Sequence, residues 1–277
     1  MQHVSAGDAE IPALGVGTFQ LSGSECRETV ETALDLGYRH VDTAEYYDNE
    51  RAVGAGIERA AVGRDEVFLT TKVWRSNLSR EDVRPALEAS LDRLGTDYVD
   101  LLLIHWPHPR VPVAETLAAM AELREEGLVN HIGVSNFTRA QLAEATEVAD
   151  APVVTDQVLY HPFNDQRALQ QACVDADVAL TAYSPLARGA VVGDDGLASI
   201  GDRYDKSAAQ VALRWLIQQD KVVAIPRSTS RDHLADNLAV FDFELTAAEM
   251  GRIDGLTGSL RVRLENQLPK LMRSFPL

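Results

Sequence analysis

Eight short apolar runs rich in β-branched residues, most of them separated by helical patterns, constrain the fold of this chain more than any other feature. They lie near 13–19, 38–41, 67–71, 98–104, 131–134, 153–158, 178–183 and 222–225. Between most of them runs an amphipathic helical pattern, as in Val83, Leu87, Leu91 and Leu94 ahead of Gly95, or Val211, Leu213, Trp215 and Leu216 after Ser207. Gly37, Gly95 and Gly127 stand where such helices would end on a left-handed residue. Strands alternating with helices pair in parallel through crossovers, and eight units in one chain favour closure into a barrel over an open sheet. The expected fold class is therefore α/β, a single (β/α)8 TIM barrel spanning residues 1–277. A length of 277 residues with 45% hydrophobic content would suit two smaller domains equally well, so the alternation decides. Residues 1–12 are too short for a βα unit and read as a hairpin over the barrel floor. Residues 257–277, rich in Leu and Arg, read as a tail folding back over the mouth. The weakly patterned stretch 187–202 reads as a mobile lid on the same side.

A formal charge of −16 disfavours a nucleic-acid or anionic-membrane surface, which needs clustered Lys and Arg. No apolar run approaches the ~20 residues of a membrane span, and the start has neither a basic n-region nor a hydrophobic h-region. A cytoplasmic location is expected. Lysine occurs only at Lys72, Lys206, Lys221 and Lys270. That balance would suit a salt-rich cytoplasm, where screening weakens repulsion among carboxylates, and a GC-rich genome would also replace Lys with Arg. Cys26 and Cys173 have no ligand-spaced partners, so neither a disulfide framework nor a metal site is expected.

Four polar residues stand at or just beyond the ends of successive strand runs: Asp42, Tyr47, Lys72 and His105. Asp42, Lys72 and His105 are 30 and then 33 residues apart, about one strand, loop and helix. At the carboxyl ends of neighbouring barrel strands such side chains converge on one mouth. A phenol near its reference pKa of about 10 is a poor acid at neutral pH, and a cation beside it would favour proton release. Lys72 would be that cation, Asp42 the anion that keeps it charged, and His105 a director of the substrate oxygen. Singly each residue has an ordinary structural reading; together at consecutive strand ends they read as a proton-donating site.

At these positions the chain resembles the aldo-keto reductase family, nearest to short prokaryotic members of the 2,5-diketogluconate reductase type. The matching motifs are Gly15-x-Gly17-Thr18-Phe19, Asp42-Thr43-Ala44-x-x-Tyr47-x-Asn49-Glu50, Thr71-Lys72-Val73-Trp74, Leu103-Ile104-His105-Trp106-Pro107, Gly133-Val134-Ser135-Asn136-Phe137, Tyr183-Ser184-Pro185-Leu186 and Ile225-Pro226-Arg227-Ser228. The resemblance implies an NAD(P)H-dependent oxidoreductase that reduces carbonyls to alcohols, with Tyr47 as general acid, Lys72 and Asp42 as its tuning pair and His105 as the orienting residue. It also implies an extended nicotinamide cofactor without a Rossmann domain. No GxGxxG lies between a strand and a helix here, which agrees.

Carried over position by position, the resemblance places the carboxamide on Ser135, Asn136 and Gln157, and the nicotinamide ring on Tyr183. It places the pyrophosphate along Ser184, Leu186 and Arg188. It places the adenosine and its 2′-phosphate on Arg227, Ser228, Thr229, His233, Asp236 and Asn237, with Gly17, Thr18 and Phe19 also at the cofactor. Arg227 stands where relatives usually have lysine and still offers a fixed charge and a bidentate fork. His233 stands where many have an arginine on the adenine, and a histidine is largely uncharged at pH 7. NADPH is therefore the expected cofactor, with unusual tolerance for NADH. Trp74, Trp106 and His108 would line the pocket, left open by a short loop before a helix starting near Val113. The expected partners are small carbonyl substrates (aldehydes, dicarbonyls or keto sugar acids), with no nucleic acid and no membrane, and a monomer, as is common among relatives. Two rival readings stand beside this one: a Schiff-base aldolase using Lys72, and an NADPH-holding sensor with little turnover.

Overall fold

The structure, a computed structural model, describes residues 2–258. The expected tail over the mouth thus lies almost wholly outside the described residues. The chain opens with an antiparallel hairpin, β1 (His3–Ala6) and β2 (Ala9–Pro12). Eight strands follow: β3 (Val16–Gly17), β4 (His40–Asp42), β5 (Phe68–Val73), β6 (Val99–Ile104), β7 (Val129–Ser135), β8 (Val153–Leu159), β9 (Ala179–Tyr183) and β10 (Val222–Ile225). Each pairs in parallel with the next in chain order. A bridge between Leu14 and Ala224 closes the ring, supported by Gly15 N–H donating to Ala224 O (2.9 Å) and Gly17 N–H to Pro226 O (3.0 Å). A Cβ on Gly17 would come within 3.0 Å of Ile225 O, so a glycine is what lets the first barrel strand approach the last.

The helices between and after the strands are α1 (Gly23–Leu36), α2 (Glu50–Arg59), α3 (Arg80–Leu94), α4 (Val113–Glu125), α5 (Arg139–Val148), α6 (Arg167–Asp175), α7 (Asp195–Gly201), α8 (Ala208–Ile217), α9 (Arg231–Leu238) and α10 (Ala247–Asp254). Local chemistry sets their ends. Ser207 with Gln210, Thr138 with Gln141 and Thr246 with Glu249 form capping boxes at α8, α5 and α10. Gly37 and Gly95 end α1 and α3 at φ 112° and 67°. Gly54 and Gly56 of α2 lie against the backbone of Leu94 and Arg27, so this GxG serves helix packing. The hairpin does cover the barrel floor: Ala6, Ala9 and Ile11 form a buried cluster with Leu101, Leu103, Val154, Ala179 and Val223 from the strands.

The stretch 187–202 differs from the expected loose lid. It forms a 3-10 segment (Ala187–Gly193) followed by α7, and Ala187, Val191, Leu197 and Ile200 are buried. Left-handed backbone at Arg188 and Gly189 (φ 54° and 93°) breaks the helical period there, which hides the apolar face from a pattern search.

Two buried histidines make the fold acid-sensitive. Burial pushes His40 and His161 down to about 4, although Asp42 opposes this at His40. His161 Nδ1 accepts from Phe163 N–H (3.2 Å), which requires the neutral ring. Because the folded values lie below the unfolded one of about 6.5, the unfolded chain takes up protons first as pH falls. The contribution is present above about pH 6.5 and drains away toward pH 4, by about 3 kcal/mol per histidine. Urea melts at neutral pH and near pH 4.5 should show this loss, reduced in His40→Gln and His161→Gln; slopes unchanged by either substitution would contradict it.

Candidate active site

The carboxyl ends of β4, β5 and β6 bring the four residues together. Asp42 ends β4, Lys72 is the penultimate residue of β5, and His105 follows β6, its N–H donating to Val73 O (3.1 Å). Tyr47 comes from a 3-10 turn (Glu45–Tyr47) just beyond β4. Lys72 and Asp42 are fully buried. Lys72 Nζ donates to Asp42 Oδ1 (2.6 Å) and to the Thr43 carbonyl (2.7 Å), and it lies 3.4 Å from Tyr47 Oη, toward which it directs its remaining proton. The other Asp42 oxygen accepts from Gln157 Nε2 at 2.6 Å.

This geometry fixes the hydrogen of the phenol. An ammonium has three donors and no acceptor, so Tyr47 Oη can only accept from Lys72, and its own O–H is left to point away from it. Two effects oppose the acidification of the phenol expected from Lys72. Burial, and then the Asp42 carboxylate, hold it well above its ordinary range. The anion 2.6 Å from the ammonium offsets the cation's field at the phenol. Lys72 thus stands where it can direct the phenol hydrogen. Burial pushes its own amine down while Asp42 and Glu50 push it back up.

His105 is held neutral by burial, Lys72 and Arg75, in that order. Its carbonyl accepts from Asn136 Nδ2 (3.1 Å), and its ring packs edge-on against Trp74 (5.0 Å) and Tyr47 (5.6 Å). Trp74 stacks on Tyr46 with centroids 4.0 Å apart, and Trp106 is buried beneath Arg75. His108 stands apart from this group. Its Nδ1 accepts from the N–H groups of Arg110 (3.0 Å) and Val111 (2.9 Å), and it lines a cleft of about 270 Å³ with Leu78, Ile104, Thr116 and Phe137, none of the four central residues among its walls. The loop it caps is short, and α4 begins at Val113 as expected.

The residues expected at a cofactor follow the rim from β7 to β10. Ser135 and Gln157 are in register, and Ser135 Oγ donates to Gln157 O (2.8 Å). Asn136 Nδ2 also donates to Ser135 Oγ (3.0 Å), and Asn136 Oδ1 accepts from Tyr183 Oη (3.0 Å), so these side chains brace one another. Ser184 and Arg188 lie on left-handed backbone after β9, flanking Leu186. Arg227 is exposed after β10 and its Nη1 reaches Phe19 O (3.5 Å). Thr229 is exposed, and Ser228 Oγ accepts from Ser230 N–H ahead of α9. On α9, His233 and Asp236 are exposed and Asn237 is buried. Thr18 anchors the first rim strand to the Asp42 carbonyl (2.9 Å), and Phe19 packs on Tyr47 (5.0 Å). The rim suits a dinucleotide. Arg188, Arg227 and Arg231 enter no ion pair among the described residues, and their guanidinium groups are suitable donors for phosphates.

Sequence patterns did not reveal Tyr46 or Arg75 as wall residues, or Glu50 as a brace. Glu50 is buried, accepts from Thr71 Oγ1 (2.6 Å) beside Lys72, and pairs with Arg93 (2.6 Å). A charged residue at the first position of a helix reads as a helix-end charge until a partner comes into view.

The model of the aldo/keto reductase family matches residues 13–257. The chain is 40% identical to a glyoxal reductase of Bacillus subtilis over 91% of both chains. It is also 40% identical to a methylglyoxal reductase of Escherichia coli O157:H7, over 89% of this chain and 93% of that one. A solved structure provisionally identified as a 2,5-diketo-D-gluconic acid reductase B superposes with a TM-score of 0.91 at 46% identity, covering 92% of this chain and 91% of that one.

Proposed function

The chain belongs to the aldo/keto reductase family, and from that premise we propose that it reduces small aldehydes, ketones and dicarbonyls with NADPH, Tyr47 supplying the proton. As a member it is an oxidoreductase of the C=O/CH–OH couple that uses a nicotinamide cofactor. The observation that carries the finer reading is the pinning of Lys72 between Asp42 and Thr43 O, which turns the phenol hydrogen of Tyr47 outward. The relatives named for glyoxal and methylglyoxal support small dicarbonyls as the substrate class.

When bound, the nicotinamide supplies hydride to the carbonyl carbon. The chain's own residues do the rest. Neutral His105, held by Asn136 at its carbonyl and by Trp74 and Tyr47 at its ring, would hydrogen-bond the carbonyl oxygen. As negative charge develops on that oxygen it becomes far more basic than a phenolate, so a phenol with a raised pKa still gives up its proton at that moment. Before then the proton stays on Tyr47. Ser135, Asn136 and Gln157 would hold the carboxamide, Tyr183 the ring face, and Arg188, Arg227, Ser228 and Thr229 the phosphates. The Schiff-base reading needs a neutral Lys72 amine, and two oxygen acceptors at 2.6 and 2.7 Å favour the ammonium instead.

Oxidation of NADPH in the presence of methylglyoxal or a nitrobenzaldehyde tests the activity; a protein that binds NADPH and turns over neither would be the sensor. Cofactor choice tests the rim. The preference for NADPH over NADH is expected to stay below about 10³ in kcat/KM, since His233 is a weak phosphate partner. Arg227→Ala should raise the KM for NADPH by about 10- to 100-fold and leave that for NADH nearly unchanged. Equal losses for both cofactors would remove Arg227 from the 2′-phosphate.

A further inference from the structure

Arg75 opens the 3-10 turn (Arg75–Asn77) directly after Trp74, on the rim of the same mouth. Its guanidinium carbon is 5.5 Å from the centre of the buried Trp106 ring, within cation–π range. Among the described residues this guanidinium has no hydrogen-bond acceptor and no ion-pair partner, and its Nε is shielded from solvent without a partner. A guanidinium carries five donors and remains charged, so one whose Nε is shielded and unmatched asks for an explanation. In a chain with 42 acidic and 26 basic side chains, carboxylates are not scarce.

None of those nearest the site pairs with it. Glu45 accepts from Asn77 Nδ2 through one oxygen (2.5 Å), its other oxygen is buried without a partner, and burial raises its carboxyl above the usual range, which weakens it as a counter-ion. Glu50 is held by Arg93 and Thr71, and Asp42 by Lys72 and Gln157. Arg75 is also among the groups that keep His105 neutral, after burial and Lys72, which places its field on the residue that faces the reacting carbonyl. A fixed fork of donors beside an aromatic wall, with no anion paired to it among the described residues, is an arrangement that recognises a planar carboxylate.

We propose that Arg75 binds a carboxylate of the substrate, so that this active site prefers carbonyl compounds that carry one, such as keto acids and keto sugar acids, over their uncharged counterparts. This rests on the reductase reading above and narrows its substrate class. Arg75 is a specificity residue here, and uncharged dicarbonyls would still react through the same Tyr47 and His105.

The test compares the isomeric carboxybenzaldehydes with their methyl esters as substrates, using the parent, Arg75→Leu and Arg75→Lys with NADPH. The parent should favour at least one acid over its ester by about tenfold or more in kcat/KM, and Arg75→Leu should shrink that acid-to-ester ratio by about 10- to 100-fold, with the selective loss on the acid appearing in KM. Arg75→Lys, which keeps the charge and loses the fork, should fall between them. Ester turnover by the parent with no acid preference, or equal losses on acid and ester in Arg75→Leu, overturns the carboxylate assignment and leaves the reductase reading standing. Failure of the parent to reduce any acid or ester overturns both.

Discussion

Lys72→Met is expected to destabilise the protein by about 3–5 kcal/mol and to lower the rate of carbonyl reduction by about 10²- to 10⁴-fold. The stability loss follows from burial. Lys72 and Asp42 have side-chain exposures of 0% and 2%, so removing the cation strands a carboxylate in the barrel that, among the described residues, keeps Gln157 Nε2 alone as a hydrogen-bond donor. The pair itself contributes little net stability, because both ions lose their hydration on folding. Its loss is costly only when it is lopsided. Asp42→Asn/Lys72→Met should therefore recover most of the stability in urea melts and none of the activity. Recovery of both together would mean that the ammonium has no directing role; a single mutant as stable as the parent would mean that the pair is not buried as described.

The activity loss has a separate origin. Without a donor at 3.4 Å the phenol hydrogen of Tyr47 is free to rotate toward other acceptors, and the fraction aimed at the substrate falls. Acidification by the cation would lead to the same loss by another route, but the raised range of the phenol speaks for orientation. The two accounts part on the double mutant's pH profile. Orientation leaves a low, flat rate through neutral pH, whereas lost acidification shifts a titration upward.

Much of this site was legible in the sequence because barrel chemistry is concentrated at strand ends, where side-chain type and strand spacing can be read together. Asp42, Lys72 and His105 were found in that way, and the eight strands with them. Four things were not legible. The sign of the field at Tyr47 depends on how close Asp42 comes to Lys72, a distance no spacing gives. The apolar face of 187–202 is split by left-handed residues, so its packing was invisible to a helical period. His108, next but one to an aromatic wall residue, looked like a pocket residue; the turn it caps directs its Nδ1 to two backbone N–H groups instead. Tyr46 and Arg75 come from short 3-10 turns, where adjacent residues diverge and only coordinates show which one faces the mouth.

The central claim is that the Tyr47 phenol delivers the proton while Lys72 holds it in line. Single-turnover reduction by the preformed NADPH complex of Tyr47→Phe measures that step alone, with the cofactor dissociation constant as its control. The phenylalanine keeps the ring that packs on Phe19 and His105 and removes only the hydroxyl. The chemical step should slow by about 10²- to 10⁴-fold with cofactor binding essentially unchanged. A single-turnover rate close to that of the parent would place the proton donor elsewhere in the barrel.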